Sequence, residues 1–242
     1  MNIHAHIIAW NEERILPFVL DYYSRICSKI FIYDNMSTDS SDEIYRRYDK
    51  VEVIKWESED SMNDDMNRKI KSLEYRNRSR NQNVDWVITC DCDEILYHPN
   101  LIEKLQEYKE KGIQVPKIDG RDMFSKKFPI YDGRLITELV QYGSHETYEP
   151  MSKNIIFDTN VDMVFGFGAH QSNAQDYVMS ESPELMLLHY KYLAPEYVIK
   201  RYETLASRQS TFNRQHNLNT HYRLKNAVEY TAYLNKNAIK LI

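Results

Sequence analysis

Residues 3–35 read IHAHIIAWNEERILPFVLDYYSRICSKIFIYDN, and this stretch decides the fold. Ile3–Ala9 is a short apolar run of strand type. Ile15, Phe18, Val19, Tyr22 and Ile26 then recur at helical spacing, with Pro17 close enough to the start to be tolerated. Lys29–Tyr33 is apolar again and ends at Asp34. The alternation continues downstream. Ser40, Ser41 and Asp42 offer N-caps for a helix through Tyr48. Val51–Trp56 is strand-like, Asn63–Asn81 reads as a long polar helix, and Trp86–Cys90 is a strand ending at Asp91. Leu101–Lys111 is a helix closed by Gly112. Repeated strand–helix units predict an α/β fold with a mostly parallel central sheet flanked by helices.

Beyond Gly112 the pattern loosens. Val115–Ile118, Ile155–Phe157 and Met163–Phe167 read as short strands. The run ELMLLH at 184–189 leads into a helix carrying Val198, Tyr202 and Leu205, and residues 222–242 read as a last amphipathic helix. A more irregular C-terminal half is therefore expected.

Composition removes several classes of function. The 242 residues carry 31 basic and 36 acidic side chains, a net charge of −5, so no nucleic-acid partner is indicated. No apolar run reaches the roughly 18–20 residues that cross a bilayer. The N-terminus lacks the basic start of a signal peptide, which makes the cytoplasm the expected location. There are six glycines, the first at 112, so the leading half has neither GxGxxG nor a P-loop. A nucleotide there must be held by side chains, ordinary amides or a metal. Cys27, Cys90 and Cys92 make a poor disulfide set, and no second Cys/His pair stands at zinc spacing.

Ligands of open parallel sheets sit outside the carboxyl ends of the strands. That edge collects Asn11-Glu12, Asp34-Asn35 and Asp91-Cys92-Asp93. Two carboxylates one residue apart, Asp91 and Asp93, can face one hard cation such as Mg²⁺ or Mn²⁺; an acidic turn before Pro99 is the plainer alternative. Asp34 could accept from a base N–H and Asn35 from ribose or base, while Ser37–Asp39 fit an ordinary turn. Residues 66–80 hold six basic side chains against one acid. Most suit a solvated helix face, and Arg80, nearest the strand, is the one chosen for a diphosphate. His189 ends an apolar run and is either structural or a further metal ligand.

Together these residues resemble a known family. The stretch IIAWNEERILPFVLDYYSRICSKIFIYDNMSTDSSDEI is similar to the opening of family-2-type glycosyltransferases of the GT-A fold, in the branch with NEE, LP and IYDN-x-STD. DWVITCDCDEIL resembles that branch's DW-[VI]-x-x-x-D-x-DEF-[IL], with Cys92 in the variable place and Ile95 for Phe. SKNIIF…GAH resembles its K-[SA]-I-V…H segment, and LLHYKYLAPEYVIKRYE its HY-x-x-[KR]-S-x-E-E-[FY]-x-x-K. Val19-Leu20 and Tyr22-Tyr23 depart from its Trp-Leu and Tyr-His, as packing changes.

The resemblance implies a nucleotide-sugar donor, a UDP-sugar first, a Mn²⁺ or Mg²⁺ ion, and a hydroxyl on a saccharide or lipid-linked saccharide acceptor. It implies inversion, and surface-polysaccharide or lipopolysaccharide synthesis as the setting. Residue by residue, Asn11, Glu12, Asp34 and Asn35 would contact the nucleoside, Asp91 and Cys92 would lie by the ribose and metal, and Asp93 and His189 would hold the metal with Asp91. His170 is left open between a structural role and a donor contact. Residues 1–204 then form the GT-A-like unit, with a nucleotide-binding half at 1–111 and an acceptor-side half at 112–204. Residues 205–242 form a helical extension.

The chemistry also needs a base for the acceptor hydroxyl. Asp122 is the first choice, with Glu138, Glu146 and Asp162 as alternatives. Two other functions compete. The strand–DxDEIL pattern suits a haloacid-dehalogenase-like phosphatase with Asp91 as nucleophile, against which Glu94 and the three preceding β/α units speak. A non-catalytic nucleotide-sugar binding module would keep the fold without turnover. Lys200–Ile242 carries eight basic and two acidic residues among tyrosines. It suits either an anionic membrane face or packing on the domain or on another subunit of an oligomer.

Overall fold

The computed structural model describes residues 1–58, 62–147, 151–220, 222 and 224–242. Of the expected C-terminal helix and basic segment, residues 221 and 223 lie outside the described residues.

The N-terminal half folds as its periodicity predicts. It comprises β1 (Ile3–Ala9), α1 (Leu16–Ile26), β2 (Lys29–Asp34), α2 (Ser41–Tyr45), β3 (Val51–Lys55), α3 (Asp64–Arg78) and β4 (Trp86–Asp91). The Asn63 side chain caps α3 by accepting from the amides of Asp65 and Met66. The sheet runs β3-β2-β1-β4, all parallel, with β8 (Ile156–Asp158) antiparallel on the β4 edge. Its core is almost continuously apolar; Ile3, Ala5, Ile7, Ile30, Ile32, Val87 and Ile88 are all fully buried. Chain order reverses between β1 and β4, and the crevice of such a sheet opens at that point. Register makes the strand ends flush, with Ala9 beside Asp34 and Ile8 beside Asp91.

The C-terminal half builds a second, mixed sheet where only scattered strands were expected. Its order is β10 (Ile239–Lys240), β7 (Tyr142–Gly143), β6 (Ile118–Ser125), β9 (Leu185–Leu193) and β5 (Glu94–Tyr97). Strand β5 leaves the DxD turn directly, so one turn joins the two sheets. Tyr23, fully buried on α1, fixes that junction by donating to the Glu94 carbonyl and accepting from the Leu96 amide. Strand β9 lies between β5 and β6, which sets His189 opposite Glu94 on one side and Asp122 on the other. The expected strand at Met163–Phe167 does not form. Gly168, at φ +64°, turns the chain into a 3₁₀ turn over Phe167–Ala169, and Phe165 keeps only a bridge to Ser172.

Helices α4 (Leu101–Glu110) and α5 (Ile136–Leu139) flank this layer, and α6 (Pro195–Ser207), α7 (Thr211–Gln215) and α8 (Leu224–Asn237) close it. Helix α8 packs onto the rest. Leu234 and Ala227 of α8 are buried against Phe124, Tyr192, Val198 and Tyr202. The buried leucine alone contributes about 1.5–3 kcal/mol. No described helix is long and apolar enough to cross a membrane.

Candidate active site

At the switch point lies a cleft of about 530 Å³, a volume suited to a small-molecule ligand. Its walls come from the carboxyl ends of β1, β2 and β4, from α3, from β6 and β9, and from α6 and the C-terminal segment.

The β4 end supplies the acidic floor. Asp91 is engaged by two buried lysines, with Lys71 Nζ at 2.8 Å and Lys153 Nζ at 3.5 Å. Lys153 also contacts Glu94 at 2.5 Å, and the second oxygen of Glu94 accepts from the Asp91 amide at 2.9 Å. Burial would push the Asp91 carboxyl up, but the two ammonium groups hold it below the usual range. Although 41 % of the Asp91 side chain still faces cleft water, the lysines at its oxygens decide its charge state.

Asp93 faces His189, Oδ2 to Nε2 at 3.4 Å, and His189 Nδ1 meets Asp122 Oδ1 at 2.8 Å. Burial would lower the imidazole's pKa, but Asp93 and the Asp122 hydrogen bond push it up to about 9. The same contact holds Asp93 far below the carboxylate range against its own burial. Register explains the triad. His189 and Asp122 are paired on adjacent strands, and just beyond them β9 carries one extra residue before Tyr192 pairs with Phe124. Tyr230 of α8 donates to the other Asp122 oxygen at 2.8 Å.

This donor set suits a hard divalent cation. With its Nδ1–H given to Asp122, His189 turns Nε2 to Asp93, and a bound cation would take the place of the Nε2 proton, the carboxylate–histidine arrangement of metal ligands. Neighbouring ligands on Mg²⁺ or Mn²⁺ stand about 3 Å apart for bonds of about 2.1 Å, close to the Asp93–His189 spacing. Asp91 is held by lysine instead, and among the described residues no three His, Cys, Asp or Glu side chains already form a ligand set.

The β1 and β2 ends form the other wall. Glu12 lines the cleft and pairs with Arg201 of α6, whose guanidinium also donates to the Trp10 and Asn11 carbonyls. Burial pushes the Glu12 carboxyl up to about 8 despite that arginine. Arg208 lies 3.3 Å over the Trp10 ring and donates to Asn35 Oδ1 at 2.8 Å. Cys92 lines the cleft as a buried thiol, its pKa raised by burial.

Several predicted residues are placed elsewhere. Asp34 does not reach the cleft; its oxygens are taken by Tyr45, the Ser37 amide and Lys55, behind the strand end. Asn11 sits in the left-handed region at φ 48° and ties the β1 turn to Ser37 and Thr38. Arg80 points away, donating to the Val161 carbonyl and pairing with Asp162 at 2.8 Å. The cation of the basic helix that reaches the DxD is therefore Lys71, whereas Arg80 lies past the end of α3. Among the candidate bases, Asp122 borders the cleft with both oxygens engaged. Asp162 is spent on Arg80 and Arg76. Glu138 caps α5 through the Leu135 amide, and Glu146 is exposed outside the cleft. His170 does line it, just after the Gly168 turn. Lys153, Lys191, Arg201, Tyr222 and Tyr230 were not anticipated. They come from segments whose local pattern is that of an ordinary strand or helix.

Comparison with known proteins places this geometry in context. The sequence model of glycosyltransferase family 92 matches residues 7–228. No curated protein matches the chain. Among solved structures, residues 1–349 of S. aureus TarS in complex with UDP-GlcNAc align at 12% identity over 97% of this chain and 72% of that one, with a TM-score of 0.49. Glucosyl-3-phosphoglycerate synthase from Mycobacterium tuberculosis, in complex with Mn²⁺, UDP and glucosyl-3-phosphoglycerate, aligns at 21% identity over 50% of this chain and 44% of that one, with a TM-score of 0.33.

Proposed function

The chain belongs to glycosyltransferase family 92, and on that premise we propose that it moves a sugar from a nucleotide-diphosphate donor to a saccharide hydroxyl, with inversion and with Mn²⁺ or Mg²⁺ bound. Membership in that family, rather than the family-2 type the motifs resemble, leaves the glycosyl-transfer chemistry in place and sets the phosphatase alternative aside. The observation that carries the proposal is the Asp93–His189–Asp122 triad, set at the crevice of the parallel sheet.

Asp93 and His189 would hold the cation, which when bound supplies positive charge where the leaving diphosphate develops negative charge. Asp122 is a positioning residue: it fixes the His189 ring and tautomer and is itself fixed by Tyr230. Lys71 and Lys153 keep Asp91 ionised and in place beneath the donor. Glu12, Asn35, Arg208 and Trp10 form the wall for the nucleoside, with Asp34 and Asn11 holding that wall from behind. A UDP-sugar is the first donor to try, and surface-polysaccharide assembly the setting the motifs suggest.

The test is a thermal-shift panel of UDP, GDP, CMP and dTDP, each with and without Mn²⁺, on wild type and an Asp91→Asn/Asp93→Asn variant. Stabilisation by one diphosphate, dependent on Mn²⁺ and absent in the variant, is expected. Cooperative melting unmoved by any nucleotide would leave the donor site without support and favour a different ligand.

A further inference from the structure

The cleft's arginines and lysines are nearly all committed to protein partners. Lys71 is spent on Asp91, Lys153 on Glu94 and Asp91, Arg68 on Asp65, Arg201 on Glu12, and Arg208 on Asn35. Lys191 is different. Among the described residues it is the one lysine or arginine lining the cleft that makes neither an ion pair nor a hydrogen bond. Its ammonium instead lies 5.0 Å from the Tyr202 ring centre and 4.7 Å from that of Tyr222. Ring faces attract a cation but take none of its N–H groups as a carboxylate would. Three donors on a largely desolvated charge are thus left for something that enters from outside.

The lining of the cleft shows where they face. His189 and Lys191 both border it from β9, on either side of the extra residue that a bulge places between His189 and Tyr192. Asp93 and Asp122, the nearest carboxylates, are already turned to His189. An oxyanion placed beside the triad would therefore meet Lys191 before any other free cation of a lysine or arginine.

We propose that Lys191 is a substrate-binding residue that donates to the outer phosphate of the donor's diphosphate, and so makes the site select diphosphates over monophosphates. This rests on the donor proposed above. As the glycosyl–oxygen bond breaks, the electron pair stays on that outer phosphate, and the ammonium sits where the charge grows.

The test is calorimetric titration of UDP, UMP and inorganic pyrophosphate, with Mn²⁺ present, into wild type, Lys191→Met, Lys191→Gln and Lys191→Arg. A charge-assisted hydrogen bond lost from a desolvated site predicts UDP and pyrophosphate binding about tenfold weaker or more in both neutral variants. UMP should change less than about twofold, and Lys191→Arg should recover most of the loss. UDP binding unchanged in the folded neutral variants would overturn the role of Lys191 while leaving the donor site intact. Equal weakening of UDP and UMP would also overturn it, by showing general damage. Wild type that binds none of the three probes would overturn this role and the donor proposal together.

Discussion

His189 carries two carboxylates on one ring, and that arrangement has a thermodynamic signature. Its pKa rises from an ordinary 6.5 to about 9 in the metal-free protein because Asp93 and Asp122 outweigh burial. A group raised on folding stabilises the native state fully below its unfolded pKa and loses that contribution as pH rises through its folded one. Metal-free protein should therefore lose stability between about pH 6.5 and 9, by roughly 3 kcal/mol for a shift of this size. The depressed Asp93 is the same contact seen from the other partner and is counted once. Urea unfolding at pH 6 and pH 9.5 reads the difference, and Asp122→Asn should flatten it. Equal midpoints in wild type at both pH values would remove the imidazolium from the account. At this scale the sequence pointed to Asp93 by its DxD spacing just past an apolar strand, and to His189 at the end of an apolar run. It was silent on Lys153 and Arg201, because nothing local in SKN or IKRY distinguishes a cleft cation from a surface one.

Among elements, β6 and β9 do most to place the site, and β6 tolerates little change. Gly120 has ordinary backbone angles, so its value is close approach; a Cβ there would overlap the Met151 carbonyl and lie 2.6 Å from the Ser152 amide nitrogen. Met151 begins the segment that delivers Lys153 to Glu94. Gly120→Ala should destabilise by about 1–3 kcal/mol, seen as a lower Tm, and should weaken donor binding because Lys153 shifts. Melting and nucleotide affinity both at wild-type values would show that the segment can move aside freely. The four parallel strands were legible because each is a short run rich in apolar and β-branched residues bounded by polar ends, three of them buried and β3 half-buried at the edge. Strand β5 was not, because EIL reads equally as the tail of the DxD motif, and only pairing with β9 makes it a strand. Met163–Phe167 misled for the opposite reason: Met163 and Phe165 are buried and Val164 and Phe167 exposed, but Gly168 bends the chain where a strand would run on.

Across the whole molecule, the segment expected as a helical extension reaches the site's wall, through Asn213 and Asn219 on Asp64 and Tyr230 on Asp122. Truncation is thus a poor probe of the membrane contact that the basic composition suggests, since it would strip a buried face. Arg214, Lys236 and Lys240 are exposed and can be reversed to Glu without touching that face. If the segment meets anionic lipid, the triple reversal should weaken binding to phosphatidylserine vesicles about a hundredfold or more and so abolish most pelleting, at about 1 kcal/mol per basic residue near the surface. Pelleting equal to wild type would assign the basic residues to solvation or to another subunit.

The placing of β9 and α8 also has a consequence in time. Tyr230 and Asp122 are 108 residues apart in sequence, and Asn219 and Asp64 are 155 apart. The four parallel strands need only what precedes Cys92, so a growing chain can close them early. The triad must wait for β9, and the wall behind it for α8. A nascent glycosyltransferase of this design has its nucleotide-side scaffold long before it can close on a donor, and it stays catalytically silent until β9 and α8 have followed.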